Sequence, residues 1–95
     1  MFFEKYLDTF DYNLLLDNYD NDFLETMDEG NFIQILNVFK KYNFYFTDDI
    51  ILNFLEIFLL EPEFVERKII DLQKQLGDNF AYLIGNDLRY LNQIG

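Results

Sequence analysis

Residues 1–30 hold nine carboxylates and one lysine: Glu4, Asp8, Asp11, Asp17, Asp20, Asp22, Glu25, Asp28 and Glu29 against Lys5. They carry 9 − 1 = 8 of the 11 net negative charges; residues 31–95, with nine acids and six bases, carry the other 3. Carboxylates can hold a metal ion, move a proton or meet the cations of a partner, and their spacing separates the three. Asn18-x-Asp20-x-Asp22, with Glu29 eleven positions after Asn18, follows the outline of a calcium-binding loop. Asn18 replaces the first aspartate, however, and Phe23 stands where glycine makes the sharp turn, a conformation phenylalanine adopts poorly. No metal site is expected. Asp49 and Glu56 are the best pair for acid–base work, but at spacing seven they lie two turns apart on one helix face, and a solvated stripe explains them.

The third use remains. Charge of one sign attracts the other, and a field this lopsided implies a basic partner. The candidate contact residues are Asp8, Asp11, Asp17, Asp20, Asp22, Glu25, Asp28 and Glu29, with Tyr12 and Tyr19 among them. Tyrosine is enriched at the energetic centres of interfaces. Several of these acids are three or four positions apart, where like charges on a helix cost roughly 0.2–0.5 kcal/mol per pair. A solvated face that only confers solubility is the competing explanation.

Absent residues narrow the chemistry further. The chain has no Cys, His, Ser or Trp. Without cysteine there is no disulfide framework, thiolate zinc site or thiol nucleophile. Without histidine the usual general base is missing, and the three threonines have nothing to activate them. A non-enzymatic protein with no cofactor is expected. Two basic doublets, Lys40-Lys41 and Arg67-Lys68, are too few for direct nucleic-acid binding. The N-terminus has no signal-peptide pattern, and the longest apolar stretch, Ile50 to Leu60, is too short for a bilayer span of ~20 residues. The expected setting is cytoplasmic.

The elements that must position these residues read as all-α. Ninety-five residues suit a single domain, here a strongly acidic helical segment (1–30) joined to a helical core (31–95). The expected form is a compact bundle of about five or six short helices. Phe3, Leu7, Phe10 and Leu14 repeat at helical spacing, with a break near residues 11–13. A short helix follows at about 22–29. Asn31 with Gln34 resembles a capping box opening a helix to about residue 43. Thr47 should cap a helix over about 48–60, apolar nearly all round and therefore central. Pro62 suits the first turn of a helix over 62–76, and short helices at about 79–84 and 87–93 close the chain. Gly30-Asn31, Gly77-Asp78 and Gly85-Asn86 each read as a helix end followed by a cap.

Phe44-Tyr45-Phe46 falls in a loop between two helices and is hard to bury entirely. An exposed aromatic patch there would serve a homodimer or an assembly contact. The half from Asn43 to Ile94, where Leu76-Gly77 ends one helix and short helices follow, resembles the helical repeats of mitochondrial transcription termination factor-type proteins. Those proteins bind nucleic acid through basic surfaces that this chain lacks, so the resemblance concerns helix spacing alone. The leading functional expectation is an acidic inhibitor or antidote, of the immunity or phage anti-defence type. It would block a basic, nucleic-acid-binding partner by nucleic-acid mimicry. The alternative is a structural or regulatory helical module.

Overall fold

Short polar caps and long apolar runs determine where this chain coils. In the computed structural model, which describes residues 1–95, six α-helices follow in order: α1 (Thr9–Asn18), α2 (Asn21–Glu25), α3 (Glu29–Lys41), α4 (Thr47–Asn53), α5 (Pro62–Leu76) and α6 (Phe80–Asn86). Three 3-10 segments, Phe2–Lys5, Leu55–Leu59 and Leu88–Gln93, complete the bundle, and there is no strand. The 24 buried side chains are all apolar and form one cluster. Each large one contributes roughly 1.5–3 kcal/mol by leaving water.

Helix α3 is the spine. It packs on α5 on one side and on the 55–59 segment on another. Its Phe32 and Phe39 sit in a continuous aromatic run: Phe3–Phe32 at 5.5 Å between ring centroids, Phe32–Phe58 at 4.7 Å, Phe39–Phe58 at 5.9 Å, Phe39–Phe44 at 5.3 Å and Phe44–Phe46 at 5.1 Å. Offset and edge-to-face rings at these distances favour one another beyond simple area burial. The helix ends by a Schellman turn. Asn43 takes a left-handed φ of 66°, its amide donates to the Lys40 carbonyl at 3.0 Å, and the Phe44 amide donates to the Phe39 carbonyl at 3.1 Å.

Several boundaries differ from the sequence reading. The stripe from Phe3 to Leu14 breaks earlier, at residues 6–8, because Asp8 caps α1 by accepting from the Asp11 amide at 2.8 Å. Phe3 and Leu7 are buried, but Phe10 is exposed. The start of α3 belongs to Asp28, whose carboxylate accepts from the Asn31 amide at 2.8 Å. Asn31 reaches away instead, donating through Nδ2 to the carbonyls of Phe58 (2.9 Å) and Leu60 (3.0 Å). Gly30 therefore lies inside a helix and ends none. Gly85 also lies inside a helix, where the ring of Tyr45 crosses it: a Cβ there would stand 2.5 Å from the Tyr45 hydroxyl oxygen. Of the three glycines read as stops, Gly77 fills that role, at φ 86°.

The expected 48–60 helix is split. α4 begins at Thr47 with no side-chain cap and stops at Asn53; Phe54 turns the backbone, and residues 55–59 continue as a 3-10 segment. The split orphans backbone groups, which α1 satisfies. Asn18 Nδ2 donates to the Leu52 carbonyl at 3.0 Å, and the Tyr19 hydroxyl accepts from the Leu55 amide at 3.2 Å. The segment is nonetheless central: Ile50, Ile51, Leu52, Leu55, Ile57 and Phe58 are all buried. Its polar residues Asp49, Asn53 and Glu56 are exposed.

Candidate protein-binding face

α1 packs directly against α4. Asn18, at the C-terminal end of α1, meets Leu52 near the C-terminal end of α4, and Asp11, at the start of α1, lies near Asp48 and Asp49 at the start of α4. The two helices run parallel, and their acidic first turns share one end of the molecule. Asp48 and Asp49 thereby join Asp8 and Asp11 in one group. Nothing local in the sequence reports that residues 11 and 48 meet.

Burial and neighbouring charge act together on Asp11. Partial loss of water raises its carboxyl above the ordinary aspartate value of 3.8, and the neighbouring charges of Asp8, Asp48 and Asp49 raise it further. No base relieves it. α1, α2, α4 and the 55–59 segment contain no lysine or arginine, while they or their caps contribute nine acids: Asp8, Asp11, Asp17, Asp20, Asp22, Glu25, Asp48, Asp49 and Glu56. The bases lie elsewhere: Lys5 near the N-terminus, Lys40 and Lys41 at the end of α3, Arg67, Lys68 and Lys74 on α5, and Arg89 in the last segment.

The candidate residues play different structural parts. Asp8 and Asp28 are helix caps. Glu29 accepts from Lys5 Nζ at 3.1 Å and from the Tyr6 hydroxyl at 3.2 Å. Asp17, Asp20, Asp22 and Glu25 are exposed, and their side chains make no hydrogen bond or ion pair within the chain. Asp17 stands in the last turn of α1, where the helix dipole favours a cation, and that turn has no base. Tyr12 is half-buried, and burial followed by the nearby Glu4 carboxylate raises its phenol. Tyr19 is half-buried too, stacked on Phe23 at 5.5 Å, with its hydroxyl 3.4 Å from Glu56.

The calcium-loop pattern at 18–29 is not folded as a loop. Residues Asn21–Glu25 are helical, Asn18 is turned to the Leu52 carbonyl, and no group of three or more acids converges on a metal-binding geometry. Of the expected aromatic patch, one ring is at the surface and two are not. Phe44 and Phe46 enter the core, where Phe39 and Phe80 take the Phe44 ring, and Tyr45 alone of the three is exposed. Three shallow clefts indent the surface, the largest about 400 Å³ beside Phe64 and Arg67. No helix is long and apolar enough to cross a membrane. No protein-family model, curated protein or solved structure matches this chain.

Proposed function

We propose that the protein acts by binding, with the α1–α4 side as an acidic face for a basic partner. The supporting observation is the packing of α1 on α4, which joins two helices that have acids and no base. Asp17, Asp20, Asp22 and Glu25 strengthen the reading, since their side chains are exposed without a hydrogen bond or ion pair in the chain and Asp17 works against its own helix. A partner whose groove is lined with lysine and arginine to hold nucleic acid would take these carboxylates in place of phosphates, whose charges are a few ångströms apart along a duplex. The protein would then be an inhibitor or antidote of the immunity or phage anti-defence type, working by steric and electrostatic block. Electrostatic steering makes such association fast and salt-sensitive.

The test is affinity capture from lysate of the source cells, or of a phage host, at ~50 and ~500 mM salt, either side of the screening range. The wild-type chain should retain a basic nucleic-acid-processing protein at low salt and lose it at high salt. A variant with Asp17→Lys, Asp20→Lys and Asp22→Lys should not retain it at either. Undiminished capture by the triple variant would overturn the reading. Salt-insensitive self-association would favour a helical assembly module, for which the exposed Tyr45 and Tyr82 provide apolar surface.

A further inference from the structure

α1 differs from the other long helices in where its apolar residues point. In α3 and α5 they turn inward: Phe32, Ile35, Leu36 and Phe39 in one, and Val65, Ile69 and Leu72 in the other. α1 buries only Leu15 completely and leaves Leu14 half-buried. Phe10 is 72% exposed, more than any other large hydrophobic side chain in the molecule, and Leu16 is 36% exposed. Phe10, Leu14 and Asp17 follow at spacings of four and three, so they share one face of the helix. Asp8 and Asp11 stand on either side of Phe10 in the chain, and Asp48 and Asp49 lie beyond Asp11.

An exposed ring costs solubility, and charges beside it do not remove its contact with water. Apolar contacts surrounded by polar ones are the anatomy of a protein interface, with the anchor at the centre and the charges on the rim. We infer that the outer face of α1 docks a basic amphipathic helix of the partner. Phe10 with Leu14 packs into that helix's apolar stripe, and Asp8, Asp11 and Asp17 face the lysines and arginines that border it. The inference rests on the acidic-face reading and narrows it. A pure nucleic-acid groove, all cation and no apolar stripe, would use the acids and leave Phe10 idle. Charge complementarity selects the basic rim, and the exposed ring selects the apolar centre.

The test uses two fluorescently labelled synthetic peptides of about sixteen residues, long enough for several helical turns. One is an amphipathic Leu/Lys sequence; the other has the same number of lysines with glycine in place of leucine. Anisotropy at low salt should show the full-length protein binding the Leu/Lys peptide about tenfold more tightly, the share expected from burying much of a phenylalanine side chain. Phe10→Ser should erase that preference and leave the weaker binding common to both peptides, while Phe10→Leu restores most of it. Because Phe10 is exposed, thermal unfolding of the variants should match the parent. Equal binding of both peptides by the parent, or an unchanged preference in Phe10→Ser, overturns the docking inference while the acidic-face reading stands. Failure of both peptides to bind at low salt overturns both.

Discussion

The hydroxyl of Tyr19 and the amide of Leu55 meet at 3.2 Å across a separation of 36 residues, and that contact stands where helix α4 stops. One residue earlier, Asn18 serves the Leu52 carbonyl. The side chains of α1 thus replace bonds that a continuous helix would have made for itself. Tyr19→Phe leaves the Leu55 amide without its acceptor and should cost about 1–3 kcal/mol, the penalty of an unmet buried donor. Asn18→Ala should cost a comparable amount. Because both act on the same break, the double variant should cost less than the sum. Urea denaturation of the four proteins in the cycle measures this; strict additivity would mean that the two contacts are independent.

Two glycines should fail for different reasons. At Gly77 there is open space, but φ 86° with ψ −166° is a region nearly closed to other residues, so Gly77→Ala should cost about 1–3 kcal/mol through backbone strain alone. At Gly85 the backbone is ordinary helix and the obstacle is the Tyr45 ring, with the buried Phe46 close behind at 3.0 Å. Gly85→Ala should cost at most about 1 kcal/mol, since the exposed Tyr45 ring can swing aside and alanine favours the helix, leaving the buried Phe46 as the lasting obstacle. Truncating the obstacle with Tyr45→Ala should restore part of the loss at Gly85 and none at Gly77, which paired thermal melts would show.

Two opposed carboxylate effects should make stability depend on pH. The Asp11 carboxyl is raised above 3.8, so its contribution is fully present below its unfolded value and is lost as pH rises through its folded one. Glu66 and Asp87 have the opposite sign. Glu66 is held below 4.5 by Lys41 and then Tyr42, and Asp87 below 3.8 by Arg89; what they add is present above those ordinary values and lost as pH falls beneath them. As pH falls through the folded titration of Asp11, above its ordinary 3.8, the urea midpoint should rise; as pH falls beneath the ordinary values of Glu66 and Asp87, what they add should be lost and the midpoint should fall. Asp11→Asn should flatten the first limb and raise stability at pH 7.

Asn43 should be the easiest site to improve. It holds a left-handed φ of 66° that glycine adopts freely and most residues resist. Asn43→Val should cost at least about 1–2 kcal/mol, the penalty for a side chain in that region, whereas Asn43→Gly should be neutral or mildly stabilising. A loss on Asn43→Gly would show that the Asn43 side chain does more than tolerate the turn.

Helix periodicity made most of the bundle legible. α5 falls at Pro62–Leu76 as read, with Val65, Ile69 and Leu72 inward, because its apolar spacing, its N-terminal proline and its terminal glycine agree. Some boundaries moved through local caps, Asp8 and Asp28, and others because a residue's local preference is overridden from a distance. Residues 48–60 are helical by pattern, yet two side chains from α1 end the helix at Asn53. Gly85 looks like a stop, but it is needed small by a tyrosine forty positions away. Asn31 looks like a cap, yet it bridges two carbonyls near residue 60. The acidic content of α1 and α2 was plain in the composition, but the addition of Asp48 and Asp49 required α4 to lie parallel to α1. Phe10 fits the spacing of Phe3, Leu7 and Leu14, but the early break at residues 6–8 separates it from the buried Phe3 and Leu7 and leaves it exposed.

The split in the central segment also bears on the order of events as the chain forms. Synthesis delivers Asn18 and Tyr19 well before residues 52 and 55. Until α1 docks, residues 47–60 lack the Asn18 and Tyr19 contacts at the break, and their apolar pattern favours one unbroken helix. Closing that long loop is thus the step that gives the middle of the protein its final shape, and contacts of such sequence separation are slow to form. A chain deprived of its first twenty residues would not only lose an acidic surface; its centre would be left in a straighter, precursor form.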